Sequence, residues 1–218
     1  MRYVKMLGLA AIAAAALMAF VGASTASATV LCKTPGTGET TGTTCAPGWA
    51  YEAGQTFHAV FEPTEAVPKA KLTTSFKNIE CSKSTVHGHL ENEGSATETV
   101  KVEITTLTFE ECNCEVKVVH PGTLTIHWIP DTHNGTVTVD EAEVTATCST
   151  IFGNVHCIYN TGAGISIGDL TGGNPATMDI EENNIPRLTT NSLCAEKAKW
   201  DAHYEVTEPK PLYVTDHT

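Results

Sequence analysis

The sequence predicts an all-β protein: an antiparallel β-sandwich of immunoglobulin-like or jelly-roll-like kind, stabilised by disulfides, with a β-barrel as the alternative. Three observations carry that expectation. Short runs of alternating apolar and polar residues recur roughly every eight to twelve positions beyond residue 29, the mark of strands with one wet face. All 8 cysteines fall in the same region, an even number that reads as a disulfide framework. Helical periodicity is confined to a brief hint at Leu193 to Lys199.

The first 28 residues read as a secretory signal peptide. Arg2 and Lys5 supply the charged start, Leu7 to Val21 the apolar centre, and Ala26-Ser27-Ala28 an A-x-A cleavage site. The apolar run falls short of the roughly 20 residues that a spanning helix requires, so the membrane is expected to be met only through this peptide. Leu31 is too large for a lipoprotein site at Cys32. Residues 29–218 are then expected to form a single β-sandwich domain.

The precursor carries 13 basic and 25 acidic residues, and the leader takes two of the basic ones, so the mature chain stands at −14. Such a charge argues against binding nucleic acid or anionic membranes. It fits a soluble secreted or cell-surface protein.

Taken in order, residues 33–55 are rich in Gly, Thr and Pro and read as a tied loop. Thr56 to Phe61 is a short strand with Phe57, Ala59 and Phe61 inward. Lys69 to Lys77 alternates with Ala70, Leu72 and Phe76 inward, and Asn78 to Cys81 follows after a parity change. Ser82 to Ser95 is polar and reads as a hairpin or long loop around Glu91–Gly94. Val100, Val102 and Ile104 share a strand face, and the switch to Leu107 and Phe109 demands a bulge at Thr105-Thr106. Cys114, Val116 and Val118 follow. Leu124, Ile126 and Trp128 oppose Val137 and Val139 through Asn134-Gly135, which suits a type I′ turn. The parity change near Asp140 to Glu143 calls for another bulge or turn. A glycine-rich stretch then precedes strands at Ala176 to Ile180, Trp200 to Val206 and Leu212 to Val214.

Spacing suggests cysteine pairings. Cys148 and Cys157 would face each other across a hairpin centred on Phe152-Gly153, where cross-strand Cα separations of roughly 4.5–5.5 Å suit a disulfide. Cys32–Cys45 would close a polar loop. Cys112 and Cys114, two apart on one strand, are then expected to reach Cys81 and Cys194, in an order left open.

Four patterns carry candidate chemistry. Gly164-Ile165-Ser166-Ile167-Gly168 matches the nucleophile elbow G-x-S-x-G, and Asp179 and His203 follow in the hydrolase chain order. The elbow, however, must lead into a helix, which DLTGGNP cannot form. His87-Gly88-His89 places two imidazoles on one face, weak candidates for a zinc or copper site whose third ligand, among His120, His127, His133 and His203, no spacing fixes; no metal or other cofactor is expected. The carboxylate pairs Glu110-Glu111, Glu141 with Glu143, and Glu181-Glu182 are read as solvated edges rather than glycosidase dyads. Trp128 and Trp200 are in phase with the core, which leaves Trp49 as the freer aromatic for stacking on a sugar.

Several short strings, Leu31-Cys32-Lys33-Thr34, Cys157-Ile158-Tyr159, Gly172-Gly173-Asn174-Pro175-Ala176-Thr177, Trp200 to Val206 and Pro211-Leu212-Tyr213-Val214, together make the chain resemble a group of uncharacterised secreted, cysteine-containing all-β proteins of actinobacteria. That resemblance implies an extracellular β protein and brings no catalytic residue. The expected function is a secreted or cell-surface, non-catalytic binding or structural module. Its partner class would be a cell-envelope polysaccharide or a protein. The alternatives are a secreted hydrolase acting on glycans or esters and an extracellular metal-binding protein.

Overall fold

The computed structural model describes residues 28–36, 44–75, 77–151 and 153–217; the signal peptide, Phe76 and the centre of the Cys32–Cys45 loop lie outside them. The described residues form fourteen strands and no helix, and Leu193 to Lys199 leads straight into a strand. They are β1 (Val30–Cys32), β2 (Thr56–Phe61), β3 (Ala70–Thr73), β4 (Asn78–Leu90), β5 (Val100–Cys112), β6 (Glu115–His120) and β7 (Thr123–Trp128). There follow β8 (Gly135–Asp140), β9 (Glu143–Thr150), β10 (Gly153–Asn160), β11 (Ile165–Thr171), β12 (Ala176–Pro186), β13 (Lys197–Glu208) and β14 (Tyr213–Thr215).

Eight strands close on themselves in the order β12-β11-β8-β7-β5-β4-β2-β13, with β13 pairing back onto β12, all antiparallel. The sandwich expectation thus gives way to its alternative, a closed barrel. The alternation that predicted strands is common to both architectures; closure depends on whether β13 finds β12, which no local pattern encodes. A barrel of eight strands is just wide enough for side chains to fill. Phe57, Ala59, Val86, Leu90, Val102, Ile126, Val137, Met178, Ile180 and Tyr204 fill this one. The outer wall carries His87, Glu103, Thr136, Asp179 and Glu181, polar where a lipid-facing barrel is apolar.

One position in the wall is shared. β2 pairs with Tyr204–Glu208 of β13 and Thr85–His89 of β4, while β3 pairs with Lys199–Asp201 and Asn78–Cys81 of the same two strands.

Both ends are closed. At one, β1 and β14 pair over the barrel, burying Leu31, Leu212 and Val214 completely, and Tyr51 donates its hydroxyl to the Pro211 carbonyl at 2.6 Å. At the other lies a three-stranded cap, β10-β9-β6. The chain passes between barrel and cap at Asn113, Pro121-Gly122, Glu141-Ala142 and residues 161–164.

Several local expectations change. Ser82 to Leu90 is strand, not loop, with Ser84, Val86, Gly88 and Leu90 buried. β7 and β8 are neighbours as expected, but Asn134-Gly135 is not their turn. Gly135 already pairs with Trp128, so the six residues between form the loop. The bulge at Thr105 is present: His87 pairs with Thr106 and Gly88 with Ile104. The parity change after Asp140 is the exit of the chain into the cap, with Glu141 at φ 58°.

The disulfides are Cys32–Cys45, Cys81–Cys112, Cys114–Cys148 and Cys157–Cys194. The first is as expected, and Cys112 does reach Cys81. The expected Cys148–Cys157 bridge is replaced, and Cys114 goes to Cys148 rather than Cys194. The β9–β10 hairpin is centred one residue earlier than supposed, with Thr150 opposite Gly153, so Cys148 faces Val155 and Cys157 faces Ala146. The Cys114–Cys148 bond joins β9 to the entry of its neighbour β6, where Glu115 faces Thr147, and the Cys157–Cys194 bond fastens the cap to the segment ahead of β13. Four disulfides in a chain of this size belong to an oxidising compartment.

Candidate functional site

An open cleft of about 600 Å³ lies where cap joins barrel. Three of the chain crossings build its walls: His120-Pro121-Gly122, Asp140-Glu141 and Asn160 to Ala163, with Glu103 from β5 opposite. These crossings are pinned to one another. Glu141 N–H donates to the Gly162 carbonyl at 2.6 Å, and Thr161 N–H to Ala142 at 3.0 Å. Asp140 Oδ1 accepts from the Gly164 N–H, and Asn160 Oδ1 from Gly162 N–H at 2.6 Å. The result is a fixed frame presenting the carboxylates of Glu103 and Glu141 and the imidazole of His120 to solvent.

A second, smaller void separates cap from barrel. It measures about 50 Å³ and is lined by Leu72, Ile79, Phe109, Val116, Val144, Tyr159 and Trp200. That is room for a water or two within almost wholly apolar walls. Trp200 packs edge-to-face on Phe109, with centroids 6.0 Å apart. Tyr159 is fully buried; burial raises its phenol above the ordinary range, against the smaller opposing pull of Arg187 and of the Ala195 backbone.

The histidines of the outer wall form a third cluster. His58 of β2 pairs with His87 of β4, and their rings stack with centroids 3.9 Å apart and 16° between planes. His89 Nε2 lies 3.2 Å from Glu103 Oε2. Gly88 between them is required by the bulge, since a Cβ there would sit 2.3 Å from the Glu103 carbonyl oxygen. Among the described residues no group of three or more His, Cys, Asp or Glu side chains could hold a metal ion.

The hydrolase pattern is half assembled. Asp179 and His203 are cross-strand partners with Oδ1 and Nδ1 2.5 Å apart. Ser166 is not with them. Asp179 pairs with Asp169, three residues along β11 from Ser166, a displacement of roughly 10 Å at 3.3–3.4 Å per residue. Ser166 lies within a strand rather than on an elbow, and the pattern's second glycine has a packing cause: a Cβ on Gly168 would stand 1.9 Å from the Asp179 carbonyl oxygen.

The carboxylate pairs also separate. Glu111 meets Lys83 at 2.5 Å, and that hydrogen bond and charge hold its carboxyl below the usual range. Glu181 meets Lys199 at 2.9 Å, and Glu182 accepts from Asn184 N–H at 2.6 Å. Glu143 accepts from the Asn160 amide at 3.3 Å, while Glu141 alone faces the cleft. Trp128 and Trp200 pack on the core and Trp49 stands 49% exposed, as expected, but at the β1 end of the barrel, away from the cleft.

Sequence reasoning missed Glu103, His120 and Asn160 at the cleft and His58 beside His87. Only Asn160-Thr161-Gly162 carried a signal, an Asx turn onto a glycine.

Fold and sites together define a closed eight-stranded antiparallel barrel, capped at both ends and cross-linked by four disulfides. No family description, curated protein or solved structure matches the chain.

Proposed function

We propose that this chain is a secreted or cell-surface binding module that holds a hydroxyl-rich ligand, a segment of cell-envelope polysaccharide, in the cleft between barrel and cap without turning it over. The cleft itself carries the reading: its volume of about 600 Å³ lies within the ordinary range for ligand sites. Its walls set hydrogen-bonding groups from four separate chain segments on one rigid frame. Carboxylates and an amide are good acceptors and donors for sugar hydroxyls. The disulfides and the resemblance to secreted actinobacterial proteins support the extracellular setting.

Calorimetric titration of the oxidised protein with soluble cell-wall polysaccharide fragments tests this. Saturable binding is expected, weakened about tenfold or more in a Glu141→Gln/His120→Ala double variant whose melting temperature is unchanged. Absence of binding across the panel, or binding indifferent to both substitutions, would sink the proposal.

The Asp179–His203 hydrogen bond favours a second reading, a secreted hydrolase of glycans or esters. Ester turnover that disappears in His203→Ala would establish it.

A further inference from the structure

The cleft between barrel and cap carries charge of one sign. Glu103, Asp140 and Glu141 bring three carboxylates to its walls, and among the described residues that line it there is no lysine or arginine. His120 is the one basic side chain of that lining. The lysine of β5, Lys101, lines a separate hollow with Glu91, Asn92 and Glu98. Taking the cleft as the polysaccharide site proposed above, we infer that its ligand is a cationic one, an amino-sugar polymer whose amino groups are free rather than acetylated.

The carboxylates are not used up by the protein itself. Glu141 is exposed, and among the described residues its side chain meets no hydrogen-bond or ion-pair partner. Asp140 gives Oδ1 to the Gly164 N–H and keeps Oδ2 for a ligand. Glu103 lies 3.2 Å from His89 Nε2 through one oxygen, and its side chain is still 54% exposed.

A bare metal ion does not fit this arrangement, since among the described residues no group of three His, Cys, Asp or Glu side chains could hold one. The acidic groups stand apart, on β5, at the end of β8 and at the crossing that follows it. Ammonium groups on a chain of sugar rings suit such a spacing. Each donates up to three hydrogen bonds, and successive rings carry their charges to separate carboxylates. The sugar hydroxyls are left to His120 and Thr123 on the same walls.

A cleft lined by one sign of charge focuses its field and gathers ligands of the opposite sign. The mature chain's −14 acts in the same sense at longer range. Acetylating the sugar amine removes its charge and leaves only neutral hydrogen bonds. A polymer of uronates or phosphates would be repelled by the same walls. The charge term is open to solvent and is therefore screened by salt.

The test is calorimetric titration of the oxidised protein with a glucosamine hexamer and with its fully N-acetylated counterpart, at a mildly acidic pH that keeps the amines protonated. The glucosamine hexamer is expected to bind at least about tenfold more tightly, a preference that shrinks several-fold in high salt. Glu141→Gln should cut the preference by about threefold or more, with the melting temperature unaltered. Glu65→Gln removes the same charge from the loop between β2 and β3 and should leave the preference as it is. An equal loss in both variants would mean attraction by net charge alone and would overturn the assignment. Equal binding of the two hexamers, or tighter binding of the acetylated one, would overturn it while leaving the cleft a polysaccharide site. Binding of neither hexamer, with other wall polysaccharides held in a Glu141-dependent way, would do the same. Binding of no polysaccharide at all would remove the cleft reading and this one with it.

Discussion

The phenol of Tyr204 on β13 hydrogen-bonds to Ser84 on β4 at 2.8 Å, inside the barrel, at the end of β2, whose last residue Phe61 pairs with Tyr204. Ser84 gives its own proton to the Thr108 carbonyl at 2.7 Å, so Tyr204 is the donor. The pair thereby bridges the two strands that share a divided neighbour.

Removing the two partners should therefore have unequal effects. Ser84→Ala strands a fully buried hydroxyl and is expected to cost about 1–3 kcal/mol, whereas Tyr204→Phe leaves Ser84 bonded to Thr108 and should cost about 0.5–1.5 kcal/mol. The double variant should lose less than the sum. Chemical denaturation of the four proteins gives the cycle, and strict additivity would mean that the pair is not coupled.

Burial raises the Tyr204 phenol far above the ordinary tyrosine range, with the Ser84 contact pulling back more weakly. A raised folded-state value means a contribution fully present below the unfolded value of about 10. It is lost as pH rises from there through the folded value. Stability should fall above about pH 10, at up to about 1.4 kcal/mol per pH unit for this group. The slope should be shallower in Tyr204→Phe. Tyr51 and Tyr159, also raised by burial, should sustain what remains. Equal slopes for wild type and variant between pH 10 and 11.5 would count against it.

Digestion without reduction should release peptides joined as Cys114–Cys148 and Cys157–Cys194, and none joined as Cys148–Cys157. Replacing both Cys157 and Cys194 by serine should lower stability by about 2–4 kcal/mol. Proteolysis should then begin in the cap strands β9 and β10, because that bond fastens β10 to the segment ahead of β13. Mass spectrometry reads both results.

Gly168→Ala should be poorly tolerated, since the new methyl would stand 1.9 Å from the Asp179 carbonyl oxygen, a backbone atom that cannot swing away. A loss of at least about 2 kcal/mol is expected, toward the upper part of the range for overpacking. Gly153→Ala, where nothing lies within 4 Å but φ is 102°, should act only through backbone strain. A melting temperature for Gly168→Ala equal to that of wild type would show that β11 and β12 can separate there at little cost.

Much of this protein was legible in its residues. Alternation along Val100–Ile104, Leu124–Trp128 and Trp200–Val206 dictated strands and told which side chains face inward, because side-chain direction in a strand is a local property of the pleat. The apolar switch after Ile104 located the Thr105 bulge for the same reason. The Cys32–Cys45 bridge closes a short loop and was local too. What the tertiary structure alone decided is everything that depends on which strand lies beside which. Closure required β13 to meet β12. A turn shifted along the β9–β10 hairpin sent Cys148 and Cys157 to separate partners. The cleft gathers His120, Glu141 and Asn160 from three crossings and Glu103 from β5, and His58 faces His87 from 29 positions away in the chain. Pairing register is fixed by the summed burial of whole strands rather than by any short string, and sites assembled across strands inherit that dependence.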